Sequence, residues 1–340
     1  MILKNVQYYD NDTLACKDIE IPVFEDKVYD YKDLLCIKSF SAVIENNFNN
    51  EDPENYFSLK KQFIDECIKN GITRIVDVSS DFLLSAKICL DYNIDAYIAV
   101  KLFPDEDISE NIIDYKINKI NDINKSVKVV LAFDSVFDFN EDQITEIVKY
   151  SKKHNMYIYT KISRSLEEVG ECDKLYNMSP VEFLESMGIL DRKCIIAGCE
   201  YLEKDEMLIL KNYDSTICLN VSNAFIEGVG FAPIYSMLNH NINICVGLTD
   251  SARPNIFREM FLLAHTQSAV LNIPHLLKIK SIIDIVQNNI INDELKDEND
   301  LIIIENDYKT QNDIGTKIVN DTNVENILFV IKNNKICYKK

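Results

Sequence analysis

Three stretches decide the fold: Cys194-Ile-Ile-Ala-Gly-Cys-Glu-Tyr-Leu202, Leu219-Asn-Val-Ser-Asn-Ala-Phe-Ile-Glu-Gly-Val-Gly-Phe-Ala-Pro233 and Ile244-Cys-Val-Gly-Leu-Thr-Asp-Ser-Ala-Arg-Pro-Asn255. The short apolar runs at 194–197, 216–219 and 242–246 each end in small or polar residues. A helical pattern follows each run, over 204–211, 234–239 and 255–271. Continuous apolar runs of this length read as strands buried on both faces, with polar chemistry gathered at their C-terminal ends. Repeated strand–helix units in a chain of this length predict a closed (β/α)8 TIM-like barrel of the α/β class.

Working outward, the same alternation continues toward the N-terminus. Leu34–Phe40 reads as the first barrel strand, and 59–70 as a helix stopped by Gly71, a residue suited to a C-cap. Strand patterns recur at 71–77, 97–103, 127–133 (ending at Asp134) and 156–164, with an amphipathic helix over Glu141–His154. Both ends alternate with the period of strands, at 1–30 and at 301–304 and 324–338, with Asn333-Asn334 as a hairpin turn. The expected domains are therefore a barrel over 31–297 and a small β sandwich built from 1–30 and 298–340.

Composition bounds the function. The 340 residues are 47% hydrophobic and carry a net charge of −19, which argues against nucleic acid or an anionic membrane surface as partner. No apolar run reaches the length of a membrane span, and Met1-Ile-Leu-Lys-Asn-Val6 lacks the layout of a signal peptide, so the cytoplasm is expected. The ten cysteines include no C-x-x-C pair and sit mostly in apolar patterns, which predicts reduced, buried thiols. None of the four histidines, His154, His240, His265 and His275, falls at a strand C-terminal end. Gly228-Val-Gly230 lacks the third glycine and the acidic residue of a dinucleotide fingerprint.

The three opening stretches also resemble the amidohydrolase superfamily, in its nucleoside- and guanine-deaminase-like branch. That branch reads A-H-C-x-H-L, S-N-x-x-x-G-x-G-x-A-P and G-T-D. Here these become Ala197-Gly-Cys-Glu-Tyr-Leu202, Ser222-Asn223 through Gly228-Val-Gly230 to Ala232-Pro233, and Leu248-Thr-Asp250. The middle block carries one extra residue. Gly71-Ile-Thr-Arg-Ile-Val-Asp77 and the segment 179–190 add to the likeness. The resemblance implies a barrel with a terminal β sandwich and a homodimer. It also implies a metal site at the barrel mouth, at positions occupied here by Lys38, Phe40, Lys161, Gly198 and Asp250. The acid/base position holds Arg164, and a substrate-side position holds Asp134. Among these side chains Asp250 alone suits a metal, since ammonium, phenyl and glycine offer no donor. The expectation is therefore a metal-free protein without cofactor, a non-catalytic ligand-binding or assembly protein. The alternative is a hydrolase of C–N bonds in a nucleobase-like or cyclic amidine substrate, with a non-standard site around Asp250. A purely structural barrel is the third class. Asp134, Arg164, Cys199, Glu200, Tyr201, Ser222 and Asn223 are the pocket candidates. Lys38, Lys161 and Asp250 are expected to meet where the family holds its metal, with surplus positive charge favouring a small anionic ligand.

Overall fold

Eight parallel strands close into a barrel in chain order: Phe40–Glu45, Ile72–Asp77, Asp95–Lys101, Lys128–Ser135, Tyr157–Ile162, Cys194–Gly198, Thr216–Leu219 and Asn243–Thr249. This computed structural model describes residues 2–10, 13–20, 28–30, 34–45, 53–92, 94–249, 253–287, 300–305 and 314–340. The last strand pairs with the first through Gly247–Val43, Leu248–Ile44 and Thr249–Glu45, so no strand edge is left open. Helices separate the strands and cover the barrel, and the outward strand residues Ile44, Ile75, Ile98, Leu131, Ile158 and Ile196 pack under them in one continuous core.

The inward residues form their own cluster. It includes Val43, Val76, Tyr97, Ala99, Val130, Ala132, Tyr157, Tyr159, Ile195, Cys218 and Cys245. Tyr159 is fully buried at its centre, so the barrel is a packed core and not a channel. The period of two then decides what stands above this core. Two residues beyond Val43, Ala99, Ala132 and Tyr159 come Glu45, Lys101, Asp134 and Lys161, the inward residues nearest the strand C-termini.

Both chain ends enter one seven-stranded sheet. Its order is Lys335–Lys339, Ile327–Lys332, Leu301–Glu305, Leu34–Lys38, Ile2–Asp10 and Thr13–Glu20, with Val28–Asp30 added beside Ile2–Asp10. One face, including Leu35, Ile37, Ile302 and Val330, joins the barrel core, and the other buries Leu3, Val6, Leu34, Cys36, Ile303 and Ile331. Asn333 and Asn334 both take positive φ at the expected hairpin turn. All ten cysteines are unpaired and eight are buried. Among the described residues no helix is long and apolar enough to cross a membrane.

One sequence-based boundary is corrected. Leu34–Lys38 is a strand of the terminal sheet, paired antiparallel with Leu301–Glu305 (Lys38 opposite Leu301), and the barrel begins at Phe40. Ser39 is the joint: its N–H donates to the Asp300 carbonyl at 3.0 Å, and its carbonyl accepts from Arg74 at 3.1 Å. The apolar pattern runs through 34–45 without a turn signal, so two strands with different partners read as one.

Candidate functional site

The strand C-termini carry a chain of alternating charges. Lys161 contacts Glu45 across the barrel axis and Asp134 at 3.2 Å, and Asp134 also meets Lys101 at 2.7 Å. Strands one, three, four and five each supply one member, all through the period-two register described above. Lys101 and Glu45 are buried, Lys161 is largely so, and Asp134 is partly exposed. Burial pushes the Lys161 ammonium down and the two carboxylates push it up; the net direction is up. For Asp134 burial raises the carboxyl, but Lys161 and Lys101 outweigh it and hold it below the usual range. The ammonium of Lys161 is thus neutralised in place.

Beside this network lies a cleft of about 300 Å³, lined by Glu45, Lys161, Arg164, Gly198, Glu200, Asn220, Asn223, Glu227 and Thr249 among others. The ends of strands five and six are laced together there. Cys199 N–H donates to the Ile162 carbonyl at 2.9 Å and Tyr201 N–H to Ser163 at 3.1 Å. Ser163, Gly198 and Cys199 all take positive φ, which for the two non-glycine residues is a strained conformation held by these bonds. The turn brings the Glu200 carboxyl to the cleft. Burial drives it up, its own backbone N–H opposes this, and Glu227 adds to the rise while Arg164 lowers it, for a pKa of about 7. Its Oε2 is buried without a hydrogen-bond partner among the described residues, as is Asn220 Oδ1.

On the strand-seven side the helix Val221–Glu227 begins directly after Asn220 and ends at Gly228 in the left-handed conformation. Ser222 and Asn223 therefore lie in its first turn. Ser222 donates its N–H at 3.1 Å and its hydroxyl to the buried Glu259 of the helix Ile256–Leu271. Asn223 Oδ1 accepts from Thr249 Oγ1 at 3.2 Å, at the end of strand eight. Tyr201 turns its hydroxyl to the Val229 carbonyl at 2.6 Å and pins the glycine-containing loop.

The other sequence-derived positions scatter. Lys38 ends a strand of the terminal sheet and pairs with Asp10 at 3.0 Å. Phe40 opens strand one, fully buried edge-on against Phe257 at 5.7 Å. With a rise of about 3.3 Å per residue, Phe40 stands roughly 16 Å below Glu45, at the opposite end of the barrel. Neither Lys38 nor Phe40 is at the mouth, which corrects the expectation that Lys38 joins Lys161 there. Asp250 lies outside the described residues. Arg164 is bound to Glu168 at 3.0 Å and half-exposed, and Cys199 is buried. The positive surplus expected at the mouth is not found among the described residues, because Glu45, Asp134 and Glu168 meet the cations. Glu45, Lys101 and Asn220 escaped the sequence reading. A charged residue two positions beyond an inward apolar one at a strand end is the signal that marks the first two.

Among the described residues, which do not include Asp250, the positions that the family resemblance assigns to a metal carry no ligating side chain. Gly198 has φ +91°, and a Cβ there would stand 2.5 Å from the Ile162 carbonyl oxygen and 2.7 Å from Arg164 Cγ, so this backbone admits no side chain. Lys161 places an ammonium between the two carboxylates. All four histidines are elsewhere. His154 stacks on Tyr150, His240 bonds the Ser236 carbonyl, His265 bonds Asn320, and His275 follows the helix Ile256–Leu271 outside the barrel. Among the described residues no group of three or more His, Cys, Asp or Glu side chains is placed to hold a metal ion.

The barrel and terminal sheet are those of an α/β barrel protein, and residues 23–287 match the amidohydrolase family. The chain belongs to that family. It is 27% identical over 230 residues to a 5-methylthioadenosine/S-adenosylhomocysteine deaminase of Caldicellulosiruptor saccharolyticus, covering 66% of this chain and 53% of that protein. It is 29% identical over 202 residues to a 5'-deoxyadenosine deaminase of Methanosphaera stadtmanae, covering 58% and 47%. The chain thus spans about half the length of these curated relatives. Among solved structures, an adenosine deaminase from Xanthomonas campestris with bound zinc superposes with a TM-score of 0.82 at 11% identity, covering 98% of this chain and 92% of that one. A guanine deaminase from C. acetobutylicum gives 0.74 at 15%, covering 99% and 98%. At such identities the structural likeness bears on the fold alone.

Proposed function

We propose that the barrel mouth takes a nucleobase-like molecule, of the purine-nucleoside class named for the relatives. The observation that carries this is the cleft at the strand C-termini, where a family barrel presents its site, lined by hydrogen-bonding groups from strands five to eight. For the reaction, the relatives are deaminases, and this supports hydrolysis of a C–N bond in that ligand better than a role without turnover. In a hydrolytic role Glu200 is the proton carrier, since a carboxyl poised near neutrality gives and takes a proton readily.

The second reading is binding without turnover. One observation on this chain favours it: the Lys161 ammonium, held by Glu45 and Asp134, stands among the carboxylates that would otherwise accept a metal. Titration calorimetry with 5-methylthioadenosine and adenosine tests the shared part, and absence of heat with both would remove it. Ammonia release from the same compounds, measured with added zinc and with chelator, separates the two readings. Turnover abolished by Glu200→Gln supports hydrolysis. Binding without ammonia release in any condition supports the second reading.

A further inference from the structure

Two residues that line the cleft each hold one buried acceptor atom without a hydrogen-bond partner among the described residues, Glu200 Oε2 and Asn220 Oδ1, the Glu200 carboxyl otherwise being met by its own backbone N–H. Asn220 stands at the N-cap of the helix Val221–Glu227, where an asparagine ordinarily accepts an N–H of the first turn. Here its side chain makes no such bond, and Glu259 takes the Ser222 N–H instead. Asn220 Oδ1 is thereby released to lean over strand eight. Gly247 makes this possible, since a Cβ there would overlap Asn220 Oδ1 outright. On strand six the left-handed pair Gly198-Cys199 turns Glu200 back, so that its Oε2 lies 3.4 Å from where a Gly198 Cβ would be. Glu200 and Asn220 line both the main cleft and a smaller apolar recess walled by Leu219, Val221 and Phe231. Buried acceptors are nearly always paired in folded proteins, so two orphans in one cleft, each set by a special backbone feature, mark a place for donors from outside.

We infer that Glu200 and Asn220 form a paired acceptor for a ligand edge carrying two N–H donors, such as an amidine or amino-heterocycle, with its ring in the main cleft. The inference rests on the reading that this cleft is the ligand site, and it replaces an anionic ligand with a donor-bearing one. A carboxylate ligand would set acceptor against acceptor. An amidine brings two N–H donors, and its positive charge meets Glu200.

Calorimetry on the full chain with benzamidine, benzoate, adenosine and inosine tests this. Benzamidine is expected to bind at least tenfold more tightly than benzoate, and adenosine, with its exocyclic amine, more tightly than inosine. Glu200→Leu and Asn220→Leu are each expected to weaken benzamidine at least tenfold while leaving the melting temperature unchanged or higher, because an unpaired buried acceptor is removed. A residue that merely held the fold together would lower it. Two variants are used so that failure of one to fold leaves the other to report. Benzamidine binding without adenosine binding upholds the paired acceptor and removes the nucleoside reading. Adenosine binding unaffected by either substitution does the reverse. Benzoate binding as tightly as benzamidine, or no benzamidine binding, overturns the inference.

Discussion

Lys161→Met is the most informative perturbation of the mouth. The ammonium lies 3.2 Å from Asp134 and in contact with Glu45, so at an effective dielectric near 20 each attraction is worth about 5 kcal/mol before desolvation is counted. Removing one partner of a buried pair typically costs about 3–5 kcal/mol, chiefly by stranding the other charge. Here Asp134 keeps Lys101 at 2.7 Å and is 43% exposed, so solvent screens most of its share. Glu45, only 10% exposed, carries most of the loss. The expected net cost is about 3 kcal/mol. Unfolding entropy of roughly 2.1 cal/mol/K per residue gives about 0.7 kcal/mol/K for 340 residues, hence a fall of about 4 °C in melting temperature. Calorimetric or fluorescence melting reads this directly. Glu45→Gln/Lys161→Met should recover more than half of the loss, because the stranded charge is gone. A fall below about 1 °C in the single variant, or additive losses in the double, would refute the reasoning.

Lys60 is fully buried and bonds Asp77 at 2.9 Å and Ser85 at 2.6 Å, so Lys60→Met should cost about 3–5 kcal/mol, seen as a drop of several degrees on melting. Gly247→Ala places a Cβ on Asn220 Oδ1 and 2.9 Å from Cys218 Sγ; it should destabilise by about 1–3 kcal/mol in chemical denaturation and displace Asn220 from the cleft. The carboxyls of Glu200, Glu206, Glu259 and Asp300 are all raised, chiefly by burial, Glu200 to about 7. Between the ordinary carboxylate range and pH 7 the folded chain therefore binds more protons than the unfolded one, and stability should rise as pH falls from 8 to about 5.5. Glu200→Gln should flatten that rise, and a melting temperature that falls steadily over the same interval would count against it. Asp134, held low, contributes in the opposite sense: its share is present above about pH 4 and is lost only in stronger acid.

The barrel was legible in the order of residues alone. Runs such as Cys194–Ala197 and Thr216–Leu219 are apolar on both faces, which only a strand covered by helices on one side and a packed interior on the other can satisfy. The pairing of both termini in one sheet was legible from their alternation, and Asn333-Asn334 from the dihedrals that a tight hairpin demands. The path of 34–45 was not. Leu34–Lys38 and Phe40–Glu45 form one unbroken pattern, and only their hydrogen-bond partners, Leu301–Glu305 for one and Ile72–Asp77 for the other, separate them at Ser39. That boundary sends Lys38 to the terminal sheet and raises Glu45 to the mouth. The alternation of Ser41, Val43 and Glu45 was visible, but which alternate set faces the axis depends on strand tilt and closure. Nor could spacing show that Glu259 takes over the capping of the helix after Asn220, since those residues lie far apart in the chain and meet only when the helix following strand eight packs beside strand seven. Local patterns fix elements because they depend on near neighbours along the chain. The site was decided by tertiary structure because its charges and orphan acceptors come from six different strand ends, brought together only by closing the barrel.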